Sequence, residues 1–137
     1  MYHRFGESKY PSTNTTKEQL EEHLSYLTEN NFDFIFARDL LKPETLSKKT
    51  ISITVDDAYL SFYEVGLPIF EKFNIPVTLF LNTENVGGNN YMSWKQLQDT
   101  LTRGIDIQNH THSHSSLPSC LSQLRSPWLS PWRQYRH

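Results

Sequence analysis

Several protein classes depend on features that this chain lacks. One cysteine, Cys120, stands among 137 residues, which excludes an internal disulfide and a cysteine-rich zinc site. Positive charge is not in surplus: 13 Lys and Arg against 15 Asp and Glu leave a formal net charge of −2. The basic footprint of a general nucleic-acid binder is therefore missing, and no nucleic-acid partner is expected. No apolar run approaches the ~20 residues of a membrane span, and no export-signal pattern precedes the first strand-like residues; localisation is left open. No internal repeat is visible. What remains is a globular composition, 36% hydrophobic and 20% charged, in a chain long enough for one domain with its own core.

The patterns alternate. Tyr2 to Phe5 reads as a short strand, and Gly6 to Asn14, polar and carrying Pro11, as a loop. Thr15 and Thr16 are helix N-cap residues with Glu18 and Gln19 three positions on, a capping-box pattern. Leu20, Leu24 and Leu27 line one face of the helix that follows, which ends at Asn30-Asn31. Phe32, Phe34 and Phe36 alternate with Asp33 and Ile35 as in a partly buried strand. Leu40 and Leu41 make a helical turn stopped by Pro43, and Lys42 to Thr50 reads as a loop. Ile51 to Val55 is a strand. Phe62, Val65, Ile69 and Phe73 fall at helical spacing across Pro68, as in a helix that begins or kinks there. Val77 to Leu81 is almost continuously apolar, the signature of a strand buried on both faces. After a loop over Asn82 to Asn90, Ser93 and Gln96 form a second capping box ahead of a helix lined by Trp94, Leu97 and Leu101 and stopped by Gly104. Ile105 to Ile107 is a last short strand. About five strands thus alternate with about four helical segments, the rhythm of a parallel α/β architecture. The periodic part ends near residue 117, and 118–137 reads as an irregular tail.

Chemistry concentrates at two strand ends. Neighbouring side chains of a strand point to opposite faces, so Asp56 and Asp57 can serve one site only if the strand ends there and turns. His110, His112 and His114 follow the Ile105 strand. All strand C-termini of a parallel sheet share one rim, so acids and histidines converge. Carboxylate with neutral imidazole suits zinc or a similar divalent metal. One Asp and two His would leave a position open for water, with the second Asp free as a base. The plainer alternatives are an acid pair that caps a turn and a histidine loop with no ligand. His3, near a strand end, either joins the pocket or packs, and packing is the expectation. His23 is read as packing, Trp94 as core or pocket wall, and Cys120 has no support as a nucleophile.

Thr54-Val55-Asp56-Asp57 resembles the T-F-D-D motif of the polysaccharide deacetylase family (NodB homology, carbohydrate esterase family 4). His110-Thr111-His112-Ser113-His114 resembles its H-[S/T]-x-x-H motif, and Tyr2-His3-Arg4 is similar to the Y-H-R opening of many members. The resemblance covers about residues 1 to 117. It implies an α/β fold, a partial, distorted (β/α) barrel, and metal-dependent hydrolysis of N-acetyl, sometimes O-acetyl, groups on a polysaccharide or oligosaccharide. It implies Asp57, His110 and His114 as ligands of a divalent metal, zinc above all, and Asp56 as the catalytic base; His112 falls at a variable position. A metal so held would polarise the acetyl carbonyl and acidify the attacking water, whose proton Asp56 would take. Val55 stands where the family has Phe. Ala58 stands where Gly is common, constraining the backbone at the turn. The family's later motifs supply an Arg-containing groove wall, an apolar acetyl pocket and a His general acid. They have no counterpart in Ser115 to His137; Arg125-Ser126-Pro127-Trp128 is only faintly similar to the wall motif, and His137 is a poor acid. The chain thus resembles the first half or more of such an enzyme. The alternatives are a catalytically impaired metal- or carbohydrate-binding remnant and a small interaction domain whose acids and histidines are structural.

Overall fold

Local pattern decides where this chain forms helices, and long-range pairing decides where it forms strands. The computed structural model describes residues 1–115. In chain order the elements are β1 (Arg4–Phe5), β2 (Asn14–Thr15), α1 (Lys17–Glu29), β3 (Asp33–Phe34), β4 (Thr50–Ile51), β5 (Ile53–Asp56), α2 (Leu67–Lys72), β6 (Val77–Leu81), α3 (Trp94–Thr102) and β7 (Asp106–Asn109). Short 3-10 turns occupy Ala37–Leu41 and Pro43–Thr45, and a π-helical turn over Phe62–Gly66 leads into α2. Both capping boxes form: Thr16 with Gln19 opens α1 and Ser93 with Gln96 opens α3. Each satisfies two amides that would otherwise be orphaned at a helix start.

The frame is a parallel sheet in the order β5-β6-β7, with Val55 opposite Leu79 and Leu79 opposite Ile107. Tyr2 lies along the flank of β5 away from β6: its amide donates to the Thr54 carbonyl (2.8 Å) and its carbonyl accepts from the Asp56 amide (2.9 Å). The small parallel pairs β1-β2 and β3-β4 form two further sheets. β6, in the middle, is buried along nearly its whole length, which explains its unbroken apolar run. Thr78 fits there because its hydroxyl accepts from the Ala37 amide (3.0 Å). Helices cover the arc, and Phe5, Leu20, Leu24, Val55, Phe62, Leu67, Phe70 and Leu79 form its core. Pro68 lies at the start of α2, which follows the π-helical turn directly. Gly66 admits the Phe5 ring: a Cβ there would stand 3.0 Å from Phe5 Cδ2.

Several expectations are corrected. Trp94 and Leu101, expected on the inner face of α3, are 59% and 54% exposed, and the inner positions go to Leu97 and Thr100. Thr100 can be buried because its hydroxyl donates to the Gln96 carbonyl of its own helix (2.8 Å); a hydrophobic stripe does not register a polar residue satisfied this way. Phe36 is not in a strand: β3 stops at Phe34, and the chain turns into the first 3-10 segment. Asn14–Thr15, read as loop and cap, pairs with β1. β7 runs to Asn109 rather than stopping at Ile107. Among the described residues no helix is long and apolar enough to cross a membrane. The boundary near residue 117 and the expectations for Cys120, Arg125, Pro127, Trp128 and His137 lie outside the described residues.

Candidate metal centre

The acid pair works as a fork. β5 ends at Asp56, and the next two residues are left-handed, Asp57 at φ 72° and Ala58 at φ 54°. Neither is glycine, so the turn carries about 1–2 kcal/mol of strain per residue, held by surrounding bonds. The Asp57 amide donates to the Phe80 carbonyl of β6 (2.9 Å), and the Ala58 carbonyl accepts from the Met92 amide (3.0 Å). The Asp56 amide bonds towards Tyr2 and the Asp57 amide towards β6, the alternation of a strand flanked on both sides, and the two carboxylates meet different histidines. Both are nearly buried, at 8% and 7% exposure. Asp56 Oδ2 lies 3.9 Å from His3 Nε2. Asp57 Oδ1 lies 3.7 Å from His110 Nε2 and 3.4 Å from His114 Nε2.

The histidines arrive from β7. The His110 amide donates to the Leu81 carbonyl (2.9 Å), anchoring it one residue past the strand. Thr111 and His114 adopt positive φ, and the Thr111 hydroxyl accepts from the His114 amide (3.0 Å). The loop therefore folds back until the two Nε2 atoms are 3.1 Å apart. Four ligands at zinc bond lengths of ~2.0–2.1 Å in a tetrahedron stand about 3.3–3.4 Å from one another. The three separations here, 3.1, 3.4 and 3.7 Å, bracket that edge. Asp57, His110 and His114 thus fit a divalent metal ion, and the half-exposed His114 ring leaves one side of the site open to solvent.

The other expected residues fall as follows. His112 is outside the triad; its Nδ1 meets the Thr83 hydroxyl (2.8 Å). His23 is exposed rather than packed in the core, and meets the Tyr2 ring and hydroxyl at the surface. His3, expected to pack in the core or at the surface rather than to join the pocket, is partly exposed and stands beside Asp56, because Tyr2 is paired with β5. Trp94 is exposed on α3 and is not core. Three features went unseen in the sequence. Asn82, 2% exposed, donates from Nδ2 to Asp57 Oδ1 (3.0 Å). Asn85 Nδ2 in turn donates to Asn82 Oδ1 (3.0 Å). Arg4 lies between the rings of Tyr10 and Tyr59, 4.1 and 3.5 Å from their centroids, while its guanidinium donates to Glu7. Burial above all, then the bond to Tyr91 and the nearby Asp57 charge, raise the Tyr59 hydroxyl pKa well above the ordinary phenol value, against an opposing effect of Arg4. Tyr59 therefore stays neutral beside the acids at any physiological pH.

An arc of parallel strands with paired acids and paired histidines on its C-terminal rim defines an α/β protein of the open-barrel class whose rim residues could hold a metal ion. The chain belongs to the polysaccharide deacetylase family, whose profile matches residues 44–136. It is 26% identical over 121 residues to YxkH of Bacillus subtilis, covering 85% of this chain and 43% of that protein. It is 25% identical over 121 residues to the poly-beta-1,6-N-acetyl-D-glucosamine N-deacetylase of Staphylococcus epidermidis, covering 82% and 42%. The structure superposes on the Streptococcus pyogenes deacetylase PplD, solved in complex with acetate, with a TM-score of 0.73 at 24% identity, over 84% of this chain and 56% of that one. A polysaccharide deacetylase from Bacillus cereus gives 0.74 at 16% identity, over 86% and 40%. The fold is accordingly a partial, distorted barrel of the polysaccharide deacetylase type. The chain spans less than half the length of these curated relatives.

Proposed function

We propose that this chain carries the metal-binding part of a zinc-dependent hydrolase that removes N-acetyl, and secondarily O-acetyl, groups from a polysaccharide. The observation that carries the proposal is the Asp57–His110–His114 cluster, at metal-ligand spacing, beside a second nearly buried carboxylate. Zinc, when bound, would supply Lewis acidity towards the acetyl carbonyl and the attacking water. The chain's own residues would do the rest. Asp57, His110 and His114 would hold the ion. Asp56, outside that donor cluster, would be left free as a base for the proton of the attacking water. His3, 3.9 Å from Asp56 Oδ2 on the flank away from β7, would face the same carboxylate and could exchange a proton with it. The Staphylococcus relatives, named for poly-beta-1,6-N-acetyl-D-glucosamine, make an oligomer of that sugar the first substrate to try.

The test has two stages. Zinc measured by ICP-MS should be about one equivalent in the purified chain and near zero in Asp57→Ala and His114→Ala; wild type holding no more metal than the variants sinks the metal site. Acetate release from a poly-N-acetylglucosamine oligomer then separates enzyme from remnant. Zinc bound without release, with the full-length relative active in parallel, would overturn the hydrolase reading for this chain.

A further inference from the structure

We infer that the loop leaving β6, Asn82–Asn85, is the positioning device of the metal site, with Asn82 orienting the Asp57 carboxylate and so setting metal affinity; the inference rests on the metal site proposed above. A buried primary amide is costly unless its polar atoms are bonded, and Asn82 is 2% exposed. Its bonds form a chain with a single allowed direction. An ionised carboxylate only accepts hydrogen bonds, so Asn82 must turn its NH2 group to Asp57. Its carbonyl then faces Asn85, which must in turn present its own NH2. No amide in the chain can be flipped without setting like groups against each other.

The atom that receives this bond is Asp57 Oδ1, the same oxygen that lies 3.7 and 3.4 Å from the two imidazole nitrogens. Asn82 occupies one lone-pair direction of that oxygen. It thereby fixes the carboxylate rotation that turns the other direction to the histidines. The same loop also holds the histidine segment. The Glu84 amide donates to the His112 carbonyl (3.0 Å), and the Thr83 hydroxyl meets His112 Nδ1 (2.8 Å). His112 sits between the two histidines of the triad. Four consecutive residues therefore reach both halves of the donor set, one by a side-chain relay to the acid and one by a clamp on the histidine loop. Partners of this kind, one bond removed from the ion, typically change metal affinity 10–100-fold when lost.

Zinc affinity of the purified full chain, by competition with a chromogenic chelator, tests this with circular dichroism and Tm recorded alongside. Asn82→Ala is expected to weaken zinc binding by about 10–100-fold with the spectrum retained. Asn85→Asp is the sharper variant and remains informative if Asn82→Ala fails to fold. It keeps the shape but replaces the donor by an acceptor, so that the Asn82 amide has acceptors on both sides, its carbonyl loses its donor and its NH2 is contested between Asp57 and position 85. Added negative charge alone would tighten a cation site, whereas loss of positioning weakens it, so a fall in affinity supports the inference. Unchanged or tighter zinc binding in folded variants, with or without a lower Tm, would make the relay structural only and overturn it. A wild type that binds no zinc would instead sink the metal site itself.

Discussion

Replacing Gly66 by alanine should destabilise the protein, although alanine is the better helix former. A Cβ at this position would stand 3.0, 3.1 and 3.2 Å from Cδ2, Cε2 and Cγ of Phe5. An ordinary carbon contact needs about 3.5–4.0 Å, so the ring would have to retreat by about half an ångström. Three contacts to one ring leave no rotation that relieves all of them. Retreat is blocked as well: Phe5 is 1% exposed and packs against Tyr2, Phe62 and Phe70 with centroids 5.8, 6.1 and 6.0 Å away. The helix-propensity gain is at most about 1 kcal/mol, and overpacking a rigid core costs about 1–3 kcal/mol. The expected net loss is about 1 kcal/mol, a fall in Tm of about 4 °C for a domain of this size. Urea denaturation of Gly66→Ala, Phe5→Leu and the double variant measures it directly. The smaller, flexible leucine should absorb the new methyl, so the double variant should be more stable than the sum of the singles by about 1 kcal/mol. A Gly66→Ala protein as stable as wild type, with no coupling to Phe5→Leu, would refute the reasoning. The site should register the same change, because the Phe5 amide is bonded to Ser61 Oγ and His3 lies two residues upstream of the ring.

Two further perturbations follow from the geometry. Ala58→Gly should lie within about 1 kcal/mol of wild type by urea denaturation, since release of about 1–2 kcal/mol of left-handed strain is offset by loss of a buried methyl, about 0.8 kcal/mol; Ala58→Val, β-branched and buried at positive φ, should cost about 3 kcal/mol. Arg103 donates to both carboxylate oxygens of Glu71, and that bonding holds the Glu71 pKa below its ordinary value. A depressed carboxyl contributes stability above its unfolded pKa and loses it as pH falls through the folded value. Arg103→Gln should therefore cost less than about 1 kcal/mol at pH 7, given exposure and screening, and the difference from wild type should shrink as pH falls and Glu71 protonates.

How much of this was legible beforehand depends on whether the cause was local. Capping boxes at Thr16 and Ser93, the apolar run of β6 and the acids and histidines after β5 and β7 are set by short-range chemistry and can be read from spacing. Strand pairs of two residues, such as β1 with β2, are set by distant partners and leave no periodic trace. The inner face of α3 was misread for a related reason, because Thr100 is buried through a bond to its own helix while Trp94 and Leu101 are exposed. Asn82 looked like the first residue of a polar loop, since nothing in its neighbours says that its amide is buried against an acid many residues away. His3 looked like packing because the pairing of Tyr2 with β5 that carries it to Asp56 has no signature in either segment.

The strained turn after β5 is what divides the labour between the acids. If Asp57 and Ala58 stayed extended, Asp57 would point away from Asp56 across the sheet, and only one carboxylate would reach the rim. Asp57, still bonded to β6 through its amide, is instead left-handed, as is Ala58, and its carboxylate lies within reach of both imidazoles, while Asp56 stays registered on Tyr2 and faces His3. An adjacent acid pair is therefore not a symmetric motif here. The backbone gives each carboxylate a different neighbour, histidines for one and a single histidine on the opposite flank for the other. A glycine at position 58 would reach the same conformation more cheaply; alanine reaches it because the Phe80 and Met92 bonds on either side leave the chain no other path.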